Sequence, residues 1–248
     1  MDLTVLGSSS SGNGYVLQNE TEALVIECGV SLKEVKKAVD FNITKIVGAL
    51  VTHEHGDHAG HFKEFLNARI NVWMSEGTIG RLIDKNYIGQ LPRYLKQMHM
   101  VELGSFTIMP FNVKHDAAEP LGFMINHPEM GNILFVTDSY YIPFTFSNLS
   151  NILIECNYRM DLLENNIKAG RIPAALRDRT LQSHMSFDTC REALLANDLR
   201  GVNNIVLVHL SDSNSNEEEF KRDIHLATGK TVHVAKKGLK IKINRHPF

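Results

Sequence analysis

Apolar and polar positions follow one another along this chain in short blocks whose period switches between that of a strand and that of a helix. Leu3-Thr4-Val5-Leu6 predicts a strand running into a Ser/Gly-rich turn over residues 7–14, and Tyr15-Val16-Leu17 with Ala23-Leu24-Val25-Ile26 predicts a hairpin. Ser31-Leu32-Lys33-Glu34 has the spacing of a capping box, and Leu32, Val35, Ala38 and Val39 share one face of the helix it opens. Residues 46–51 form a continuous apolar run, short enough to be a strand covered on both faces. A helix over 59–67, a strand over 71–74 and a helix from Ser75 follow. The second half has the same outline, with strands at 106–109, 121–125, 133–136 and 152–154, then a helix over 187–199. The run Ile205-Val206-Leu207-Val208 comes next. Ser215-Asn216-Glu217-Glu218 is a second capping box, opening a helix to about Leu226, and strands at 231–234 and 239–243 close the chain. With no fixed-period repeat and no Pro/Gly/Ser linker, this order predicts a single α/β domain over 1–248. Both long apolar strands run directly into histidines, at the carboxyl ends where ligands gather in α/β sheets.

Composition narrows the class. The chain has 248 residues, 43% of them hydrophobic, enough for one sizeable core. No apolar run approaches the ~18 residues of a membrane span, and Met1-Asp2-Leu3-Thr4 lacks the basic-then-apolar pattern of a signal peptide. Cys28, Cys156 and Cys190 are odd in number and widely spaced, unlike a disulfide framework. The expectation is a cytoplasmic protein without a membrane partner. Lys plus Arg number 26 against 28 Asp plus Glu, a formal charge of −2. The densest basic stretches, 33–37, 171–179 and 236–242, read as solvated faces, leaving no basic stripe to track a phosphate backbone. The 12 histidines are the conspicuous excess, and their positions carry the chemistry.

Thr52-His53-Glu54-His55-Gly56-Asp57-His58 packs three imidazoles and a carboxylate into one turn after a buried strand, and these are the donors that Zn²⁺ and similar divalent ions take. Gly56 is expected to let the backbone turn tightly enough for the donors to converge. One such segment cannot close a two-metal site. His115, Asp138 and His209 each follow an apolar strand, and together they supply what is missing. His61, His99, His127, His225, His233 and His246 share no such context and read as surface or structural residues.

This pattern resembles the metallo-β-lactamase-fold hydrolase superfamily over essentially the whole chain. The resemblance implies an αββα sandwich of two mixed β-sheets flanked by helices. It implies that His53, His55 and His115 hold one metal and that Asp57, His58 and His209 hold the other, with Asp138 bridging them. Glu27 stands where the family commonly has an aspartate that orients the histidine loop. Within the superfamily the finer likeness is to the phosphodiesterase branch, the YycJ/WalJ and tRNase Z groups. It is carried by His115-Asp116-Ala117-Ala118-Glu119-Pro120, Thr137-Asp138-Ser139, and His209-Leu210-Ser211-Asp212-Ser213-Asn214. Glu155 and Ser183-His184-Met185-Ser186 occupy the places of a paired Glu and His. The chain departs from the YycJ pattern at Asn157-Tyr158-Arg159 and at Phe187, which sets it closer to phage-encoded anti-Pycsar relatives that degrade cyclic mononucleotides.

The resemblance implies two divalent ions, Zn²⁺ or Mn²⁺, with Asp57, His184 and Glu155 as catalytic residues. His184 is the proton donor to the leaving alkoxide and Glu155 orients it. Arg159 is an alternative local partner for Glu155. The loop over residues 7–13 lacks the Gly-Lys-Ser/Thr ending of a P-loop; Ser9, Ser10 and Asn13 either face a phosphate or base or simply form a turn. Three functions compete: a 3′,5′-cyclic mononucleotide phosphodiesterase, a nuclease acting on DNA or RNA, and a metal-binding sensor without turnover. The full donor set disfavours the third, and the missing basic surplus favours the cyclic mononucleotide over nucleic acid. The phage likeness implies a homodimer that clears a host defence signal.

Overall fold

The computed structural model describes residues 1–246 and gathers the apolar runs into two seven-stranded sheets. The first contains β1 (Asp2–Gly7), β2 (Gly14–Gln18), β3 (Ala23–Ile26), β4 (Ile46–Leu50), β5 (Val72–Met74) and β6 (Arg93–Tyr94) in chain order. The second contains β7 (Val101–Leu103), β8 (Phe106–Asn112), β9 (Leu121–His127), β10 (Gly131–Val136), β11 (Leu149–Glu155), β12 (Asn204–Val208) and β13 (Thr231–Val234). The last strand, β14 (Lys240–Lys242), returns to pair antiparallel with β1. Each sheet switches from antiparallel to parallel pairing partway across, at β3 in the first and at β10 in the second.

Parallel neighbours require crossovers, and the helices supply them. α1 (Leu32–Ala38) joins β3 to β4, while α2 (Gly56–Ala59) and α3 (Phe62–Asn67) join β4 to β5. α4 (Glu76–Leu82) leads towards β6. In the second half α5 (Met160–Lys168), α6 (Ala174–Ser183) and α7 (Phe187–Leu195) separate β11 from β12, and α8 (Glu217–Thr228) precedes β13.

Strand alternation then builds three apolar layers. Tyr15, Leu24 and Ile26 from the first sheet meet Phe123, Ile133 and Phe135 from the second in the central core. The opposite faces of the same strands bury Val16 and Val25 against α1 and α3, and Leu134 and Ile152 against α7 and α8. The result is an αββα sandwich. Because both faces of the central strands are covered, their sequences read as unbroken apolar runs. Phe135 is fully buried and meets Tyr15 edge-on at 5.3 Å. We expect Phe135→Ala to lower unfolding free energy by about 3–5 kcal/mol, as read from denaturant midpoints. Among the described residues no helix is long and apolar enough to cross a membrane.

The structure corrects several local expectations. The helix foreseen over 59–67 is two helices, because the Asp57 carbonyl accepts the Asn13 N–H at 2.8 Å and the His61 N–H donates to Cys28 O instead. Ser31 makes no side-chain cap; the Leu32 N–H is met by Glu64 Oε2 at 2.9 Å, a carboxylate reaching across from α3. At α8 the cap is Asn216, whose side chain accepts from the Glu219 N–H, while the Ser215 hydroxyl donates to Ser211 O. The helix begun at Phe187 ends at Leu195, short of residue 199.

Candidate metal centre

Glu27, the His53–His58 loop, His115, Asp138, Glu155 and His209 all lie just beyond or at the carboxyl ends of β3, β4, β8, β10, β11 and β12. Two sheets facing each other therefore aim their strand ends at one point. Three of these residues, Glu27 (φ 69°), Asp138 (φ 45°) and His209 (φ 53°), adopt the left-handed backbone region, which non-glycine residues rarely occupy. Such strain persists only where the surroundings enforce it. Here it turns each side chain off its strand and into the cluster.

His53 Nε2 lies 3.0 Å from His55 Nδ1, which lies 3.1 Å from His115 Nε2. Asp138 Oδ2 stands 3.6 Å from His53 Nε2 and 3.5 Å from His115 Nε2. Beside this group, Asp57 Oδ2 is 3.2 Å from both His58 Nε2 and His209 Nε2. Asp138 faces this group too, with Oδ2 3.2 Å from His58 Nε2 and Oδ1 3.5 Å from His209 Nε2. Donor atoms arranged tetrahedrally around a cation at ~2.1 Å stand about 3.4 Å from each other. Both groups have that spacing, and Asp138 belongs to both.

The hydrogen bonds behind the cluster fix which nitrogen faces it. The Thr52 hydroxyl donates to Glu27 Oε1 at 2.6 Å, so at 2.9 Å it accepts from His53 Nδ1–H and leaves Nε2 as a lone pair towards the cluster. His115 Nδ1–H donates to Ser183 O at 2.9 Å, with the same consequence. Glu27 Oε1 stands 3.3 Å behind His58 Nδ1. Burial pushes His53 well below the usual imidazole range, with the charge of His58 adding to it, and burial likewise lowers His115. These rings are neutral donors at ordinary pH. Burial would raise Asp57, but hydrogen bonds from His209 and His58 outweigh it and hold the carboxyl below the carboxylate range. Burial also opposes ionisation of Asp138, and the charges of His209 and His58 overcome it. Conversely Asp138 holds both His58 and His209 above the usual range against burial. Two carboxylates this enclosed demand positive charge, and the donor set fits divalent cations in that role. We expect Glu27→Ala, which leaves every donor atom in place, to weaken metal affinity about 10–100-fold, as measured by competition with a chromogenic chelator.

A third group adjoins the first two. Glu155, fully buried, accepts from the Ser139 N–H at 2.8 Å and the Met185 N–H at 3.2 Å. Its Oε1 meets His184 Nδ1 at 2.7 Å, while Nδ1 is 3.8 Å from Asp138 Oδ1. Arg159 goes elsewhere, to Asp161 and Glu219 at 2.8 Å each, so Glu155 is left to the histidine. Burial pulls the His184 imidazole down, but the Glu155 charge and hydrogen bond outweigh it and raise the ring from 6.5 to about 9.

The turn loop is placed differently from its outline in the sequence. Asn13 is buried behind the cluster, its Nδ2 3.2 Å from Asp57 Oδ2 and 3.1 Å from His58 Nε2, so it braces that half of the cluster. Ser9 lines a neighbouring cavity, whereas Ser10 is exposed at the loop tip. Gly56 is not the tight position, since a Cβ there meets nothing within 4 Å. At Gly29 a Cβ would overlap the Asp57 carbonyl, so Gly29 permits the close approach of the two loops. Three contributors carried no sequence signal of their own: Thr52, Ser8, whose hydroxyl accepts from the His209 N–H at 2.9 Å, and Asn157, whose amide nitrogen lies 3.2 Å from His209 Nδ1.

Residues 9–181 match the family model of the metallo-beta-lactamase superfamily. Exodeoxyribonuclease YycJ of Bacillus anthracis is 26% identical over 232 residues, covering 88% of this chain and 85% of the relative. Among solved structures, the metallo-beta-lactamase fold protein YhfI of Bacillus subtilis superposes with a TM-score of 0.73 at 16% identity, covering 97% of this chain and 99% of that one. Zinc-bound PqqB of Methylobacterium extorquens superposes at 0.70 with 14% identity, covering 98% and 100%.

Proposed function

Since this chain belongs to the metallo-beta-lactamase superfamily, we propose that it falls in the phosphodiesterase branch and is a two-cation phosphodiesterase that removes nucleotides from the ends of nucleic-acid strands. The observation that carries the phosphodiesterase reading is the Glu155–His184 pair set against the His/Asp cluster. An alkoxide leaving group needs a proton, and a protonated imidazole held by a buried carboxylate supplies one. Easier leaving groups do not require it. The strand-end reading is supported by the exodeoxyribonuclease relative, most of whose length is covered.

His53, His55 and His115 would hold one cation, Asp57, His58 and His209 the other, and Asp138 both. Cations bound there supply positive charge to the phosphoryl oxygens and acidify water. The chain's own residues do the rest. Asp57 and Asp138 fix the charge of the cluster, while Thr52, Glu27 and Ser183 hold the imidazole tautomers. His184 carries the departing proton on its Nε2 side, opposite the Nδ1 that Glu155 holds.

A second reading, hydrolysis of 3′,5′-cyclic mononucleotides, is favoured by charge. The formal charge is −2, and Arg159, Arg177, Arg179, Arg191, Arg200 and Arg222 all face carboxylates instead of standing free for a polymer backbone. Homodimerisation and removal of a defence signal belong to this reading. Metal-loaded protein given linear single-stranded DNA, the same strand closed into a circle, and the cyclic mononucleotides of A, G, C and U separates the two. Shortening of the linear strand with the circle and cyclic nucleotides intact is the expected result. Opening of cyclic nucleotides alone would replace it with the second reading, and no turnover of any of them would overturn both.

A further inference from the structure

A cavity of about 460 Å³ opens beside the cluster, and none of the donor residues lines it. Its walls come from the carboxyl ends of four strands: the loop after β1, Val30 after β3, the segment after β12 and the segment after β13. The cavity and the cluster share a wall. Ser8 lines the cavity and accepts the His209 N–H, and Leu210, the residue after His209, lines it too. Ser9 lines it while its carbonyl accepts from Asn13, which grips Asp57.

The lining has a definite chemistry. Val30 and Val234 offer apolar faces; Ser8, Ser9 and Ser11 offer hydroxyls. Lys236 pairs with Glu217 at 3.6 Å and Lys237 pairs with Glu34, just outside the lining, at 3.3 Å, so both lysine charges are neutralised, while Asp212 adds a carboxylate to the wall. A wall whose lysines are neutralised selects an uncharged polar ring over a second phosphate. The volume falls within the range of small-molecule sites, about 300–1,000 Å³.

We propose that this cavity is a nucleoside subsite, seating the base and sugar attached to the phosphate that is cleaved at the cluster. The assignment rests on the phosphodiesterase reading and adds the feature that would distinguish a nucleotide from any other phosphodiester. A pocket for one nucleoside is what an enzyme working on a strand end or on a single nucleotide needs.

The test compares thymidine 5′-(4-nitrophenyl phosphate) and its 3′ isomer with bis(4-nitrophenyl) phosphate, three esters with one leaving group and different second substituents. Wild-type protein should favour a thymidine ester by about tenfold or more in kcat/KM, the discrimination one well-filled pocket provides. Ser11→Trp, from an exposed loop position, and Lys236→Trp, from the facing wall where the side chain is 69% exposed, should each collapse that ratio towards one. No preference in the wild type, or a preference that survives both substitutions, overturns the subsite while leaving the phosphodiesterase reading intact. If no ester is turned over, that reading fails, and the subsite is decided by equilibrium binding of thymidine 5′-monophosphate. About tenfold weaker binding in both tryptophan variants supports it, and unchanged binding overturns it.

Discussion

Asp138→Ala should remove nearly all activity, by about 10³-fold or more in kcat, and with it at least one bound cation per chain. Among the described residues, Asp138 alone belongs to both donor groups. Its Oδ2 lies within 3.2–3.6 Å of His58, His115 and His53, and its Oδ1 lies 3.5 Å from His209. Without it the two groups become separate three-donor sets, and five imidazoles converge with one carboxylate, Asp57, to balance them. Asp138→Asn distinguishes charge from shape, because asparagine tolerates the left-handed backbone at this position (φ 45°) as well as aspartate does. The same loss is expected from the amide. Metal content by mass spectrometry and steady-state turnover of bis(4-nitrophenyl) phosphate check both variants, and wild-type values in the amide variant would remove Asp138 from the centre.

His184→Ala should cost about 10²–10⁴-fold in turnover of an alkyl phosphodiester while the metal content stays at the wild-type level. The contrast with a nitrophenyl ester is informative, since that leaving group departs without a proton and should lose much less. The pH profile gives a second readout. Glu155 raises the His184 imidazole above its ordinary 6.5, so the protonated form persists through neutral pH and is lost only as pH climbs towards about 9. Wild-type activity should therefore fall on the alkaline side, and that fall should vanish with His184. Glu155→Gln removes the anion and should move the same limb to lower pH, because burial is then left to pull the imidazole down. A mere packing role for either residue would move neither limb.

The convergence of the His/Asp cluster was legible in the sequence for two different reasons. His53, His55, Asp57 and His58 crowd into one loop, so their convergence is local. His115, Asp138 and His209 are far apart, but each ends an apolar strand, and strands of one sandwich bring their ends together. Glu155 and His184 carry no such pattern; a lone Glu at a strand end and a His at a helix terminus became meaningful only through the family likeness. What stayed hidden depends on contacts across long stretches of chain. The break between α2 and α3 exists because Asn13 takes the Asp57 carbonyl, and the start of α1 is capped by Glu64 from another helix. α5 and α6 went unforeseen because exposed and polar positions interrupt their apolar faces, and β6, at two residues, is too short to show a period.

Phosphodiester hydrolysis here should require two cations in the His/Asp cluster. Chelator-stripped protein is titrated with Zn²⁺ or Mn²⁺, and turnover of bis(4-nitrophenyl) phosphate is followed at each addition. The expected result is no turnover in the stripped protein and full activity reached at two equivalents per chain. Full turnover in the stripped protein, or none after two cations are bound, would contradict it.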